Sequence, residues 1–115
     1  MDENISCHLW NDLKITADDL RSNLIDIREY VDESHLIRKL KRCKQCGQLY
    51  FYQFLEEVDW AGGEDAQYRI WIPVEDLEKA EAMNAVSDVE LMSSQRLAED
   101  WPTGTKEPLP IQKIG

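Results

Sequence analysis

The run Cys43-Lys44-Gln45-Cys46-Gly47 constrains this chain more than any other feature of its sequence. Two thiols two residues apart can grip one metal ion only if the backbone turns sharply between them. Backbone N–H groups then point at the sulfurs, and a glycine after the second cysteine supplies the left-handed conformation in which such turns often end. The flanking residues have strand character, so the run predicts a metal-gripping turn between two strands. A tetrahedral ion needs two further ligands, and the remaining Cys and His residues are Cys7, His8 and His35. His35 would lie on the strand leading into the turn, and Cys7 lies in an irregular N-terminal arm. The expected ligand set is therefore Cys7, His35, Cys43 and Cys46, which would pin the arm to the hairpin. His8 is the alternative ligand, although adjacent side chains such as Cys7 and His8 normally diverge. Either histidine can instead simply pack or hydrogen-bond. Four protein ligands close the coordination sphere, which points to structural zinc, since a catalytic zinc keeps one position open for water. A thioredoxin-type dithiol fits less well, because its cysteines open a helix and here a strand follows.

Charge sets the second constraint. Asp and Glu number 23 against 13 Lys and Arg, a formal net charge of −10. Such a surface repels phosphate backbones and anionic membranes and speeds encounter with basic partners. It also simply favours solubility. Residues 1–15 carry neither a basic start nor a continuous apolar stretch, and no segment has the roughly 20 apolar residues that span a bilayer. The expected location is the cytoplasm, where an odd count of three cysteines favours thiolate chemistry over disulfides. At 115 residues and 43% hydrophobic content the chain suits a single domain, 1–115, with a core small enough to benefit from a local cross-link.

Local patterning predicts an α+β domain: a three-stranded antiparallel meander with about three helices and a structural zinc site. Thr16 can cap a helix over 17–31, with Leu20, Leu24, Ile27 and Val31 at helical spacing. Residues 35–43 alternate as a strand, 48–58 form an aromatic-rich strand, 59–66 turn at Gly62-Gly63, and 67–72 form a third strand stopped by Pro73. Residues 74–85 favour a second helix. Ser87, with Glu90 in capping-box position, opens a third that places Leu91, Gln95 and Ala98 on one face and ends at Trp101-Pro102. The tail 102–115 holds three of the four prolines and reads as extended; its last residues could add an edge strand, which Pro108 and Pro110 disfavour.

Carboxylates cluster around the second hairpin at Glu56, Glu57, Asp59, Glu64 and Asp65, and the helix after Pro73 adds Asp76 and Glu78. Their spacing matches no calcium loop, and no histidine or cation nearby in sequence would orient them for acid–base work. They read as a solvated acidic surface and as the candidate contact for a basic partner. No phosphate-binding glycine loop, nucleophile elbow or Ser/His/Asp arrangement is present, so no catalytic residue is expected. The meander is dense in aromatic residues, which suit protein recognition or base stacking. Arg38, Lys39, Lys41, Arg42 and Lys44 are the one cationic stretch. They support an alternative reading as a zinc-ribbon-like nucleic-acid-binding regulator, against which the overall charge weighs.

The run Cys43-Lys44-Gln45-Cys46-Gly47-Gln48-Leu49-Tyr50-Phe51-Tyr52, then Glu56-Glu57, Asp59-Trp60, Tyr68, Trp71-Ile72-Pro73-Val74, Trp101-Pro102 and Lys106-Glu107-Pro108, resembles a group of small bacterial zinc-site proteins. Some of these look like cytosolic immunity proteins of contact-dependent growth inhibition and related polymorphic toxin systems. The resemblance spans residues 35–110. It implies zinc on Cys43 and Cys46, with Cys7 or His35 completing the site, and no catalytic residues. It further implies a protein that binds and blocks a basic toxin domain such as a nuclease; the acidic charge disfavours membrane and nucleic-acid partners.

Overall fold

A computed structural model describes residues 5–57 and 65–115. The chain order is α1 (His8–Asn11), α2 (Ala17–Asn23), β1 (Leu24–Asp32), β2 (Leu36–Cys43), β3 (Leu49–Glu57), β4 (Ala66–Val74), α3 (Leu77–Met83), α4 (Asp88–Leu91), β5 (Arg96–Trp101) and β6 (Gln112–Ile114). Among the described residues the strands form one six-stranded sheet in the order β1-β2-β3-β4-β5-β6, every neighbouring pair antiparallel. The architecture is thus mostly sheet, with a few short helices. It overturns the expected three-stranded α+β meander with three helices.

Three local readings account for the difference. First, Thr16 does cap a helix: its hydroxyl accepts from the Asp19 N–H at 3.1 Å, and Asp19 accepts from the Thr16 N–H at 3.1 Å. The helix stops at Asn23, whose side chain bonds the Asp19 carbonyl, and residues 24–32 are strand. The register of β1 against β2 slips between Asp26 and Arg28 and again between Glu29 and Val31. Each slip inserts one extra residue, so same-face positions fall three apart, and a bulged strand mimics a helical period. Second, Ser87 caps α4, accepting from the Glu90 N–H at 3.2 Å, but the helix closes after one turn. Ser93 donates to the Glu90 carbonyl at 2.7 Å, the kind of side-chain competition that ends helices, and residues 96–101 become β5. Third, Pro73 does not stop β4, which continues to Val74. Strand β5 pairs only with Gln67–Trp71, so Pro73 sits where β4 has a partner on one side alone. The tail, expected to be extended, instead turns at 103–104, where Thr105 N–H donates to the Pro102 carbonyl at 3.4 Å, bends again at 106–107, and ends in a short edge strand, β6.

The sheet is covered on both faces. On one face Cys43, Tyr50, Trp71 and Leu97 meet Cys7, Leu9, Trp10, Ile15 and Leu20 from the N-terminal arm, α1 and α2. On the other, Leu40, Phe51, Ile70, Ile72, Val74 and Ala98 meet Ala80 of α3 and Leu91 of α4. The odd-even alternation of β2 and β3 sorts the residues: Cys43 and Tyr50 face the arm, Leu40 and Phe51 face α3. Burying the arm's apolar side chains, at about 1.5–3 kcal/mol for each fully buried large residue, is what holds this otherwise irregular segment on the sheet.

Candidate metal centre

The N-terminal arm ends in a single helical turn. The Cys7 carbonyl accepts from the N–H groups of Trp10 and Asn11 at 3.1 and 3.2 Å, and the Asn11 side chain bonds the carbonyls of Ile5 and Cys7. This turn brings both Cys7 and His8 toward the sheet, the first buried and the second exposed. On the sheet side, Cys43 closes β2. Its N–H donates to the Gln48 carbonyl at 2.9 Å, and its carbonyl accepts from Gly47 N–H at 3.0 Å. Gly47 takes the expected left-handed conformation, φ 83°. A Cβ there would meet nothing within 4 Å, so the demand for glycine is conformational rather than steric. Lys44 N–H bonds the Asn23 carbonyl, which fastens the turn to the end of α2.

Cys7, His8 and Cys43 present their ligand atoms within 4.8 Å of one another. Cys43 Sγ lies 4.0 Å from His8 Nδ1. Zinc-type bonds of about 2.3 Å to sulfur and 2.0 Å to nitrogen put tetrahedral ligand atoms roughly 3.5–3.8 Å apart, so ligand atoms up to 4.8 Å apart would draw in by about 1 Å or less to close on an ion. Cys46, exposed on the turn, is within interaction range of both the Cys7 and Cys43 sulfurs. Cys7, His8, Cys43 and Cys46 therefore lie close together and could bind a metal ion. Three sulfurs and one imidazole are a softer donor set than the oxygen ligands that hard cations prefer.

The electrostatics separate the two buried thiols. Burial pushes Cys7 up to about 11, against the lowering effect of the neighbouring Tyr50 hydroxyl. Burial is the largest single influence on Cys43 and opposes its ionisation too, but the backbone N–H groups of Cys46 and Gln45, together with the Cys46 and Cys7 thiols, hold it below its ordinary value. At the first cysteine of the turn the amide dipoles therefore favour the ionised form.

His35 is not brought to this cluster. It lies in the β1–β2 turn, at the opposite end of β2 from Cys43, roughly 26 Å away at 3.3 Å per residue. Its Nδ1 is 2.8 Å from Glu56 Oε1, an ion pair when the imidazole is protonated. The alternative ligand, His8, is the one in place. The one-turn helix α1 makes the difference, because it bends the backbone after Cys7 enough for neighbouring side chains to converge.

The acidic residues do not form one patch. Glu56 is occupied by His35, with Gln67 at 3.4 Å. Glu57 is exposed at the end of β3, and Asp65 is half-buried just before β4; Asp59 and Glu64 fall outside the described residues. Asp76 and Glu78 stand at the other end of β4, where Asp76 caps α3 by accepting from Lys79 N–H at 2.9 Å. That second end adjoins the metal centre. Gln48, in the cysteine turn, donates to the Val74 carbonyl at 3.0 Å, and a shallow cleft lined by Ser6, Cys7, Cys46, Gln48 and Glu75 runs between them.

The cations of residues 38–44 are likewise dispersed by the strand's alternation. Lys39 and Lys41 face the arm side and both bond Asp26, at 3.1 and 2.7 Å, while Lys41 also lies over the Tyr52 ring. Arg38 points the other way and is buried, donating to Gln53 Oε1 and the Asn84 carbonyl at 2.9 Å each. The stretch that reads as one basic run in the sequence is not one basic surface. Among the described residues no helix is long and apolar enough to cross a membrane.

Sequence reasoning missed Tyr50. Its ring is fully buried in the arm-side core beside Cys7, and its hydroxyl has no hydrogen-bond partner of good geometry among the described residues. The available signal was its odd-even phase: of the aromatic run 50–52, the even positions share the face of Cys43. Searches against protein-family models, curated proteins and solved structures return no match.

Proposed function

We propose that this protein is a non-enzymatic binding module, braced by structural zinc on Cys7, His8, Cys43 and Cys46, that captures a basic protein partner on its acidic surface. The observation that carries this reading is the convergence of Cys7, His8 and Cys43 to within 4.8 Å, with His8 and Cys43 35 residues apart in sequence. A metal there ties the arm to the sheet and stiffens the adjoining end of β4. The carboxylates of Glu75, Asp76 and Glu78 follow directly from that end. A rigid acidic edge loses little entropy on docking, and the net charge of −10 speeds encounter with a cationic partner. The setting implied by the resemblance is toxin immunity: occlusion of the basic cleft of a bacterial toxin domain in the cytoplasm.

The test is co-expression and co-purification with the C-terminal domain of a polymorphic toxin encoded beside this protein. The reading requires protection of cells and a stoichiometric complex whose association rate falls steeply as salt rises. It also requires that Glu75→Lys combined with Glu78→Lys weaken the complex at least tenfold, about 1.4 kcal/mol. Neither protection nor a complex, with the protein folded and metal-loaded, overturns it.

A further inference from the structure

The Tyr50 hydroxyl is a buried polar group that the fold leaves unanswered. Tyr50 has no exposed surface at all, and its oxygen has no hydrogen-bond partner of good geometry among the described residues. It also lies on the strand face onto which the arm folds, in the same cluster as both Cys7 and Cys43. The Cys7 sulfur is a polar neighbour of that oxygen, since the two side chains lie within interaction range in one buried cluster. A neutral thiol is a weak acceptor, so it does little for a phenol hydrogen; a thiolate is a strong one. Metal binding converts the first into the second, because the ligand form of cysteine is the thiolate.

The geometry points to Tyr50 as an outer-sphere positioning residue of the metal centre, whose O–H donates to the Cys7 thiolate once an ion is bound. This inference rests on the proposed zinc site and adds to it a residue from the middle of the sheet. No electron moves and no covalent bond other than S–H is broken: Cys7 releases its proton to solvent, the sulfur coordinates the ion, and the Tyr50 hydrogen turns to a remaining sulfur lone pair. The phenol thereby fixes the direction from which Cys7 approaches the ion. Partners of this kind typically contribute 10–100-fold to metal affinity. They also account for a tyrosine at a position where packing alone would be met as well by phenylalanine. Coordination and core packing are coupled through one side chain, since Tyr50 is paired to Lys41 of β2 and Pro73 of β4.

Tyr50→Phe in the full-length chain separates this role from simple packing, because it keeps the ring and removes only the hydroxyl. Competition with a chromophoric chelator gives Zn2+ affinity. Substitution with Co2+ gives the sulfur-to-metal charge-transfer bands, which respond to hydrogen bonding at the thiolate. The expected result is a 10–100-fold loss of Zn2+ affinity with shifted Co2+ bands, while the metal-free variant unfolds at the same or a higher denaturant concentration than the metal-free wild type. In a Cys7→Ala background, Tyr50→Phe should then change the residual affinity no further. Equal Zn2+ affinity and unshifted Co2+ bands in wild type and Tyr50→Phe overturn the hydrogen bond and leave the zinc site standing. Failure of the wild type itself to bind Zn2+ or Co2+ overturns the zinc site and this role with it.

Discussion

Cys7 and His8 are neighbours in sequence, and adjacent side chains rarely ligate one ion. Here the helical turn that begins at His8 tilts the backbone so that His8 Nδ1 comes within 4.0 Å of Cys43 Sγ, while Cys7 stays buried beneath. His35, the more natural choice by strand position, is held by Glu56 at the far end of β2. The two histidines should therefore respond oppositely to substitution. His8→Ala is expected to weaken Zn2+ binding at least tenfold, while His35→Ala leaves it unchanged, as read by competition titration with a chromophoric chelator. A loss on His35→Ala equal to that on His8→Ala would contradict the placement of both.

At the scale of elements, the edge strand β1 is held to β2 by more than its ladder. Asp26, at the first bulge, takes hydrogen bonds from both Lys41 and Lys39, and Arg28 pairs across to Glu81 of α3. The Lys41 hydrogen bond, aided by Lys39, holds the Asp26 carboxyl below its ordinary range despite the opposing effect of partial burial. A depressed folded value means stability that is present above the unfolded value of about 3.9 and lost as pH falls through the lower folded value. Asp26→Asn should thus be less stable than wild type at pH 7. The gap should close under acid as the wild type protonates. Because the Asp26 side chain is half exposed, the difference is expected to be modest, under about 1 kcal/mol. Urea denaturation of both proteins across that pH range measures it, and a gap that does not narrow under acid would show that the carboxylate is not the source. The same bulges that place Asp26 also disguised the strand: same-face residues three apart are the spacing of a helix, and no composition signal distinguishes the two in a half-exposed edge strand.

For the molecule as a whole, the candidate metal centre sits where three segments meet: the arm, the end of β2 and the cysteine turn. The arm lies over the sheet with Trp10 in the core and Lys113 of β6 over its ring at 4.7 Å, so arm and tail hold each other. If zinc braces this junction, stripping it with a strong chelator should lower the melting temperature by several degrees or more, because metal affinity is linked to folding. The arm-side core should loosen before the α3–α4 side, which acrylamide quenching of tryptophan fluorescence in wild type against Trp10→Phe detects. A metal-free preparation that melts at the same temperature as a zinc-saturated one would rule the brace out.

The sequence alone determined those features whose physics is local. The turn at Cys43–Gly47 needs only a thiol spacing and a residue free to adopt positive φ, and it forms as its spacing predicts. The strand cores of β2, β3 and β4 follow from alternation and aromatic content, and the caps at Thr16 and Ser87 from side-chain oxygens placed before short helices. What only the tertiary structure decided is everything that depends on which segments meet. Leu24–Asp32 and Arg96–Trp101 carry patterns that a helix satisfies equally well in isolation. They are strands because β2 and β4 each offered an unpaired edge, and a backbone that pairs there meets its hydrogen-bonding needs while burying Leu24, Leu97 and Ala98. The histidine facing the cysteines was decided the same way. Spacing can nominate a ligand, but only the path of the arm across the sheet puts His8 beside Cys43 and leaves His35 at the other end of the strand.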